Sequence, residues 1–375
     1  MLPRKFKAGE YREQYEYKSF EPSLINREMD WLSDRKVALS AKVDEELKEL
    51  KLFLEEHEDV KYFVDVLLLK EAGAACRMDA AKVNFTETLL PLEFIKSDRM
   101  NDWLDVINYL EALKFAEQRI NDLPISFRLL NEIHGIVLAG PNGEKKTPGE
   151  IRKSQTWVGG ENLSKAKYIP PHPYDLPEYL SDLEKFIHNE YIEAPFLARL
   201  ALAHYQFMVI QPYVAGNGRM ARFLVLLMLN EEYDFKYPLF LFNDLIEFYT
   251  VPFHESIFSV PKSDNINQYI KFFLNRLSGA AKRSITTLEK LLTLKSKKES
   301  LVDGIAEDAE KIYLILYEFY KKPILHEKTL KAKFRDMNIV HLLKKMEENK
   351  IIEKFNEIED EQFYYIKKSF NQLKM

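Results

Sequence analysis

Cysteine is nearly absent from this chain: Cys76 stands alone among 375 residues, so no disulfide can form within it. That fits a reducing compartment, and the sequence reads as cytoplasmic. Glycine is scarce, at 12, which argues against a sheet punctuated by glycine turns. The longest apolar runs, such as FLVLLML from Phe223 to Leu229, are far too short to span a bilayer, so no membrane partner is expected. The opening MLPRKFKAGEYREQYEY has no apolar core of the secretory kind, which predicts no leader. A net charge of −5 gives no global pull toward nucleic acid. No Walker G-K-S/T, no G-x-S-x-G and no H-E-x-x-H occurs, and Cys76 has no second cysteine near it. No metal site is therefore expected.

What is present is apolar and aromatic. Hydrophobic residues make up 46%, with 25 Phe and 20 Tyr, enough for a sizeable core in two or three domains. Leu, Lys and Glu dominate, which points to helices. Residues up to about Ser23 show no clear period and read as an extended arm. Apolar residues then recur at helical spacing from Asn26 to Glu56, from Asp59 to Asp79, from Met100 to Asp122 and from Ser126 to Leu138. Pro141, Gly143, Pro148 and Gly149 break the pattern. EIRKSQTWVGG, Glu150 to Gly160, with KYIPPHP, Lys167 to Pro173, reads as a hairpin, the one good strand candidate in the first 300 residues. Helices resume over Leu176–Glu190, Pro195–Ile210, Arg219–Leu229, Asn243–Ser259 and Asn265–Leu292. LKSKKES, Leu294 to Ser300, reads as a polar linker. Beyond it come a helix from Ala309 to Tyr320, helices near Glu327–Phe334 and Ile339–Asn349, and a terminal hairpin. That is a winged-helix pattern.

The chemistry gathers in QPYVAGNGRMAR, Gln211 to Arg222. Gly216, Asn217 and Gly218 open a helix whose free N–H groups and dipole favour an anion. Arg219 and Arg222 stand three apart on one face of its first turn, where cations oppose the dipole and are better explained by an anionic partner. A glycine-containing helix start with two salt-bridged arginines accounts for GNGR equally well. Dinucleotide binding is the weaker competitor. Gly216-x-Gly218-x-x-Ala221 fits G-x-G-x-x-A, but the preceding LARLALAHYQFMVI has a helical period where that motif needs a strand.

The stretch resembles the signature of the Fic family, H-P-F-x-D/E-G-N-G-R-x-x-R. TPGEIRKSQTWVGG, Thr147 to Gly160, resembles the family's flap hairpin. KEAGAACRMDA, Lys70 to Ala80, resembles the helix carrying its inhibitory motif, S/T-x-x-x-E-G. The resemblance spans roughly residues 30 to 290. It implies a mainly α fold, a helical bundle with a β-hairpin flap, followed here by a small winged-helix domain. The expected division is an N-terminal helical region at 1–100, a core at 101–292 and a winged helix at 300–375.

The resemblance also implies AMP transfer from ATP to a protein hydroxyl. By it Gly216, Asn217, Gly218, Arg219 and Arg222 hold the phosphates of ATP or another nucleotide. Ile151, Ser154, Thr156, Trp157 and Val158 form a flap on which a target protein docks. Departures from the pattern matter more. Gln211 stands where the family has its catalytic histidine and has no titratable nitrogen to take a proton. Ala215 stands where the family has its Mg²⁺ ligand, and a methyl group cannot ligate a hard cation. In the inhibitory motif Ala75 replaces Ser/Thr, Asp79 replaces Glu and Ala80 replaces Gly, so a pair between Asp79 and Arg222 is expected to be weak or lost. His204, on an apolar helix, is the one candidate for a displaced base, against a plain core histidine.

Three readings follow. The first is a degenerate AMP transferase that still binds a nucleotide or other phosphate ligand, with weak or no transfer. The second is a DNA-binding or scaffold protein that uses the winged helix, with the core as ligand sensor. The third is a transferase with a different base or phosphate donor. For DNA, Lys321 to Lys345 holds eight Lys/Arg against Glu327 and Asp336. The wing from Glu353 to Glu361 carries five acidic residues and only Lys354, which repels a phosphate backbone. A packing or homodimerisation module fits that end as well as DNA binding does.

Overall fold

The computed structural model describes residues 4–30, 34–305, 307–356, 358, 361–367 and 373. Trp31 and the wing positions Glu357, Glu359 and Asp360 lie outside them. The chain is mainly α, as expected. Its organising element is the helix α7 (Phe196–Ile210). From Leu200 onward every side chain of α7 is buried, so it is apolar all round and sits inside a bundle. Helices α4 (Met100–Arg119), α5 (Phe127–Val137), α6 (Leu176–Ile187) and α8 (Asn217–Tyr233) surround it, with α6 and α8 packed directly against it. Ser126 caps α5 through its side chain, which accepts from the Leu129 N–H. Helix α1 (Asp34–Glu56) packs along α12 (Ile266–Asp303). Helix α2 (Val64–Arg77) runs between α4 and α9 (Phe242–Ile246), and the short α3 (Phe85–Thr88) follows it behind an Asn84 capping box. Helices α10 (Thr250–Phe258) and α11 (Val260–Ser263) lead into α12.

Four expectations change. Residues 9–22 are a hairpin rather than an arm: β2 (Gly9–Glu13) pairs antiparallel with β3 (Lys18–Pro22). Before and after it, β1 (Arg4–Lys5) and β4 (Met29–Asp30) pair in parallel. Phe20 is fully buried, and its N–H donates to Ile169 O at 2.8 Å, so the hairpin lies against the second arm of the flap. The expected flap hairpin is itself nearly free of ladder. Val158 and Tyr168 form one isolated antiparallel bridge, and apart from a 3₁₀ turn at Leu163–Lys165 the stretch from 150 to 172 is irregular. Segment 294–300 is not a linker. Helix α12 runs unbroken across it, because Leu294 and Lys295 face the interior and the Lys295 ammonium donates to Asp59 and Glu299. Lastly, the helix expected over Asn243–Ser259 is broken between Ile246 and Thr250 by a 3₁₀ turn at Glu247–Tyr249.

After α12 come α13 (Ala309–Lys321), β5 (Ile324–His326), α14 (Glu327–Lys333), α15 (Ile339–Glu348), β6 (Glu353–Phe355) and β7 (Phe363–Tyr365). The last three strands form one antiparallel sheet in the order β5-β7-β6. This unit is anchored to the bundle by aromatic contacts just before α2: Tyr62 stacks on Tyr317 at 4.6 Å and Phe63 packs on Tyr320 at 5.2 Å.

Candidate anion-binding site

Where α7 ends and α8 begins, the chain turns through Gln211–Gly216. Gln211 ends α7 in the left-handed conformation (φ 50°, ψ 68°), and Gly216 enters α8 in the same region (φ 73°, ψ 6°), which glycine adopts without strain. The Asn217 side chain closes the turn. Its Oδ1 accepts from the Tyr213 N–H at 2.9 Å and its Nδ2 donates to Tyr213 O at 2.8 Å. The amides of Val214 to Arg219 have no acceptor among the described residues. Val214, Ala215, Gly216 and Gly218 line a cavity of about 1030 Å³ whose other walls include Val158 and Tyr168 of the flap and His254 and Phe258 of α10. A row of free amides at a helix start, opening on a cavity, has the donors and dipole that suit an anion, and we term the loop the cradle.

The side chains expected to serve that cradle are placed unevenly. Gln211 reaches the cavity wall, but its Nε2 donates to Met208 O at 2.7 Å, so its amide caps α7. Ala215 presents a methyl. Neither arginine lines the cavity. Arg222 is 1% exposed, with Nε donating to Asn243 Oδ1 at 2.7 Å and Nη2 to Ala75 O at 3.0 Å. Arg219 donates from Nε to Asp79 Oδ2 at 2.9 Å, and its buried Nη1 has no partner among the described residues. Asp79, in the turn after α2, stands 3.7 Å from Arg222 Nη2 and lines the cavity. The expectation of a weakened pair with Arg222 is thus redirected: the shortened acid pairs with Arg219 first.

His204 is not a displaced base. It is fully buried off the cavity, its Nδ1 lies 2.7 Å from the Tyr269 hydroxyl, and burial pushes its pKa down to about 3. His254, which sequence reasoning passed over, does line the cavity. Burial, then the nearby Arg222 charge, lower its pKa, so its ring is neutral at neutral pH.

Comparison with known proteins bears on the fold that carries this loop. Residues 124–229, which contain α5, the flap, α7, the loop and most of α8, match the Fic/DOC family. The chain carries a Fic domain. The Protein adenylyltransferase Fic of Drosophila willistoni is 32% identical over 128 residues, 32% of this chain and 24% of that protein. The Protein adenylyltransferase Fic of Drosophila ananassae is 25% identical over 205 residues, 54% of this chain and 38% of that protein. The chain therefore spans only about a quarter to two fifths of the length of these relatives. A Fic family protein from Desulfovibrio desulfuricans superimposes with a TM-score of 0.59 at 14% identity, over 89% of this chain and 96% of that one. A Fic domain containing signaling protein from Bacteroides thetaiotaomicron gives 0.53 at 19% identity, over 67% and 96%. These likenesses show the Fic fold.

Within this Fic domain the flap leaves one edge bare. The amides of Lys153 to Trp157 have no acceptor among the described residues, Ser154 is exposed, and Trp157 is 42% exposed. Ile151 packs on the core, the Thr156 hydroxyl is buried without a partner, and Val158 forms the bridge to Tyr168. Two residues that sequence reasoning missed stand behind the flap, His134 and Arg152. Both bond mainly to backbone atoms, and such bonds leave no spacing in the sequence.

Proposed function

We propose that this Fic domain binds a nucleotide or another phosphate ligand beneath its flap and transfers AMP weakly or not at all. The row of unpaired amides from Val214 to Gly218, opening on the cavity, carries the reading. The unpaired Nη1 of Arg219 adds a buried donor beside it. Against transfer stands the chemistry of Gln211, whose amide is neutral and is spent on Met208 O. Loss of a positioned base costs about 10²–10⁴-fold. The residues do not fit Mg²⁺. Position 215 is a methyl, and of the two carboxylates on the cavity wall, Asp79 is paired with Arg219 while Glu255 belongs to α10. No step is routed through a metal.

The bare flap edge supports docking of an extended segment of a protein partner, whose carbonyls would take the amides of Lys153 to Trp157. Trp157 would then be its apolar anchor. A second reading rests on the C-terminal unit, whose strand and helix order is that of a winged helix. Val340, His341 and Lys344 are exposed on α15, the helix such a unit lays on DNA. Fluorescence anisotropy with random duplex DNA separates the two, since the first reading needs none. For the first, calorimetric titration with ATP, ADP and AMP, with and without Mg²⁺, is decisive. Binding without Mg²⁺ supports it, and no binding at millimolar concentration makes the loop a purely structural turn.

A further inference from the structure

Arg152, at the start of the flap, is 2% exposed and forms no ion pair among the described residues. Its guanidinium spends its donors on backbone carbonyls. Nε donates to Gln211 O at 2.8 Å, Nη2 to Pro171 O at 2.6 Å and Ile210 O at 3.4 Å, and Nη1 to Ser154 O at 3.1 Å. Its own N–H donates to Pro212 O at 3.0 Å. Burial lowers its pKa to about 10, so it stays charged at neutral pH. Two of the acceptors, Ile210 O and Gln211 O, sit at the C-terminal end of α7, where carbonyls lack helical partners and the dipole favours a cation. The other two lie on the two arms of the flap. One buried charge therefore ties both arms to the root of the anion loop.

His134, on α5, makes the second tie. Its Nδ1 accepts from the Gly149 N–H at 2.8 Å, which leaves the proton on Nε2 to donate to Ala215 O at 3.1 Å. Its ring stacks on Tyr213 at 3.8 Å with 10° between planes. Burial pushes its pKa down to about 4, so the neutral tautomer that fits both bonds is the one present. Gly149 leads into the flap; Ala215 belongs to the cradle.

We propose that Arg152 and His134 are positioning residues that fasten the flap to the anion loop, so that the partner-docking edge and the phosphate cradle move as one body. Occupancy of the cradle is then felt at the flap edge. The chemistry of each tie is specific. Lysine cannot replace Arg152, because a point donor cannot serve four carbonyls on three segments. Glutamine can replace His134 in part, since it offers one donor and one acceptor, whereas phenylalanine keeps only the stacking.

The test is hydrogen exchange on the full chain without ligand, read at Val158 and Tyr168 in the flap and at Tyr213 and Met220 in the loop. None of these four amides bonds to Arg152 or His134. In His134→Phe the flap amides Val158 and Tyr168 should exchange about tenfold faster, although His134 touches neither. In Arg152→Lys, Met220 should accelerate by a similar factor. His134→Gln should recover most of the native rates. A merely local role would speed exchange only at Gly149 in the first variant and only at flap amides in the second, and that pattern overturns the proposal. A second arm adds ADP, and it rests on the phosphate-binding reading. ADP should slow Val158 and Tyr168 in the native chain and not in Arg152→Lys. If ADP slows both chains alike, the coupling is wrong while the binding reading stands. If ADP does not bind, that reading falls and the ligand-free arm still decides the fastening.

Discussion

Asp79 faces both arginines of the loop helix but holds them unequally, 2.9 Å from Arg219 Nε and 3.7 Å from Arg222 Nη2. Its carboxylate is also close to Gly218, at the first turn of α8, where a Cβ built on the glycine would lie 3.5 Å from Oδ1. An internal anion thus stands beside the cradle proposed for an external one. The substitution Asp79→Asn removes that charge and frees Arg219. The affinity for ADP should rise about tenfold, read by calorimetry. An unchanged affinity would mean that Arg219 does not reach the ligand even when released.

The two arginines should behave differently. Arg222 is sealed in the core, so Arg222→Ala leaves Asn243 Oδ1 and the Ala75 carbonyl unpaired. It should cost about 3 kcal/mol of stability in urea unfolding. Arg219→Ala should cost less stability and lower phosphate affinity instead. Equal losses of affinity in two stable variants would contradict this division.

Glu71 bears on the same arrangement from α2. Its two carboxylate oxygens accept the N–H groups of Asn243 and Asp244, each at 2.8 Å, at the start of α9. Burial, then the neighbouring Asp244 charge, raise its pKa, while the two N–H bonds and Lys70 favour the carboxylate. It therefore fixes the backbone of the residue that holds Arg222. Glu71→Leu leaves both N–H groups buried and unpaired. It should destabilise the fold by about 2 kcal/mol or more, measured by thermal or urea unfolding. A neutral outcome would show that α9 needs no cap from α2.

The acid side of the stability curve should carry the signature of His134. Its folded pKa of about 4 lies below the ordinary histidine value near 6.5. Below about pH 6.5 the unfolded chain binds a proton that the folded chain refuses, so native stability falls as pH drops toward 4. His134→Gln removes that proton. The stability difference between native and variant should therefore shift against the native chain by about 1.4 kcal/mol per pH unit between roughly pH 6 and 4.5. A difference independent of pH would mean that His134 is protonated in the folded state.

Much of this was legible in the sequence. Helical periodicity located α4 to α8 and α13 to within a few residues, and GNGR marked the start of α8. But α1 and α2 begin at Asp34 and Val64 rather than at Asn26 and Asp59, after a strand at Met29–Asp30 and a 3₁₀ turn at Glu58–Phe63. What failed did so for physical reasons. The hairpin at Gly9–Pro22 carries charged residues on its open face, so its period was masked until Phe20 was seen to bury itself. LKSKKES looked like a linker because lysine and glutamate are both loop-compatible and good helix formers, and only the Lys295–Asp59 pair reveals which applies. Arg222 looked like a ligand arginine because its spacing from Arg219 is that of a helix face. Its burial depends on Asn243 and Ala75, both distant in sequence.

The proposed function has this Fic domain hold a phosphate ligand without passing AMP on. Equilibrium dialysis of the chain with ATP labelled at the α-phosphate, followed by denaturation of the retained protein, tests it in one measurement. Label should be retained by the native chain and released on denaturation, with Mg²⁺ making little difference. Label that survives denaturation would show that AMP is transferred despite Gln211 and Ala215. No retained label at all would show that the cradle from Val214 to Arg219 takes no nucleotide.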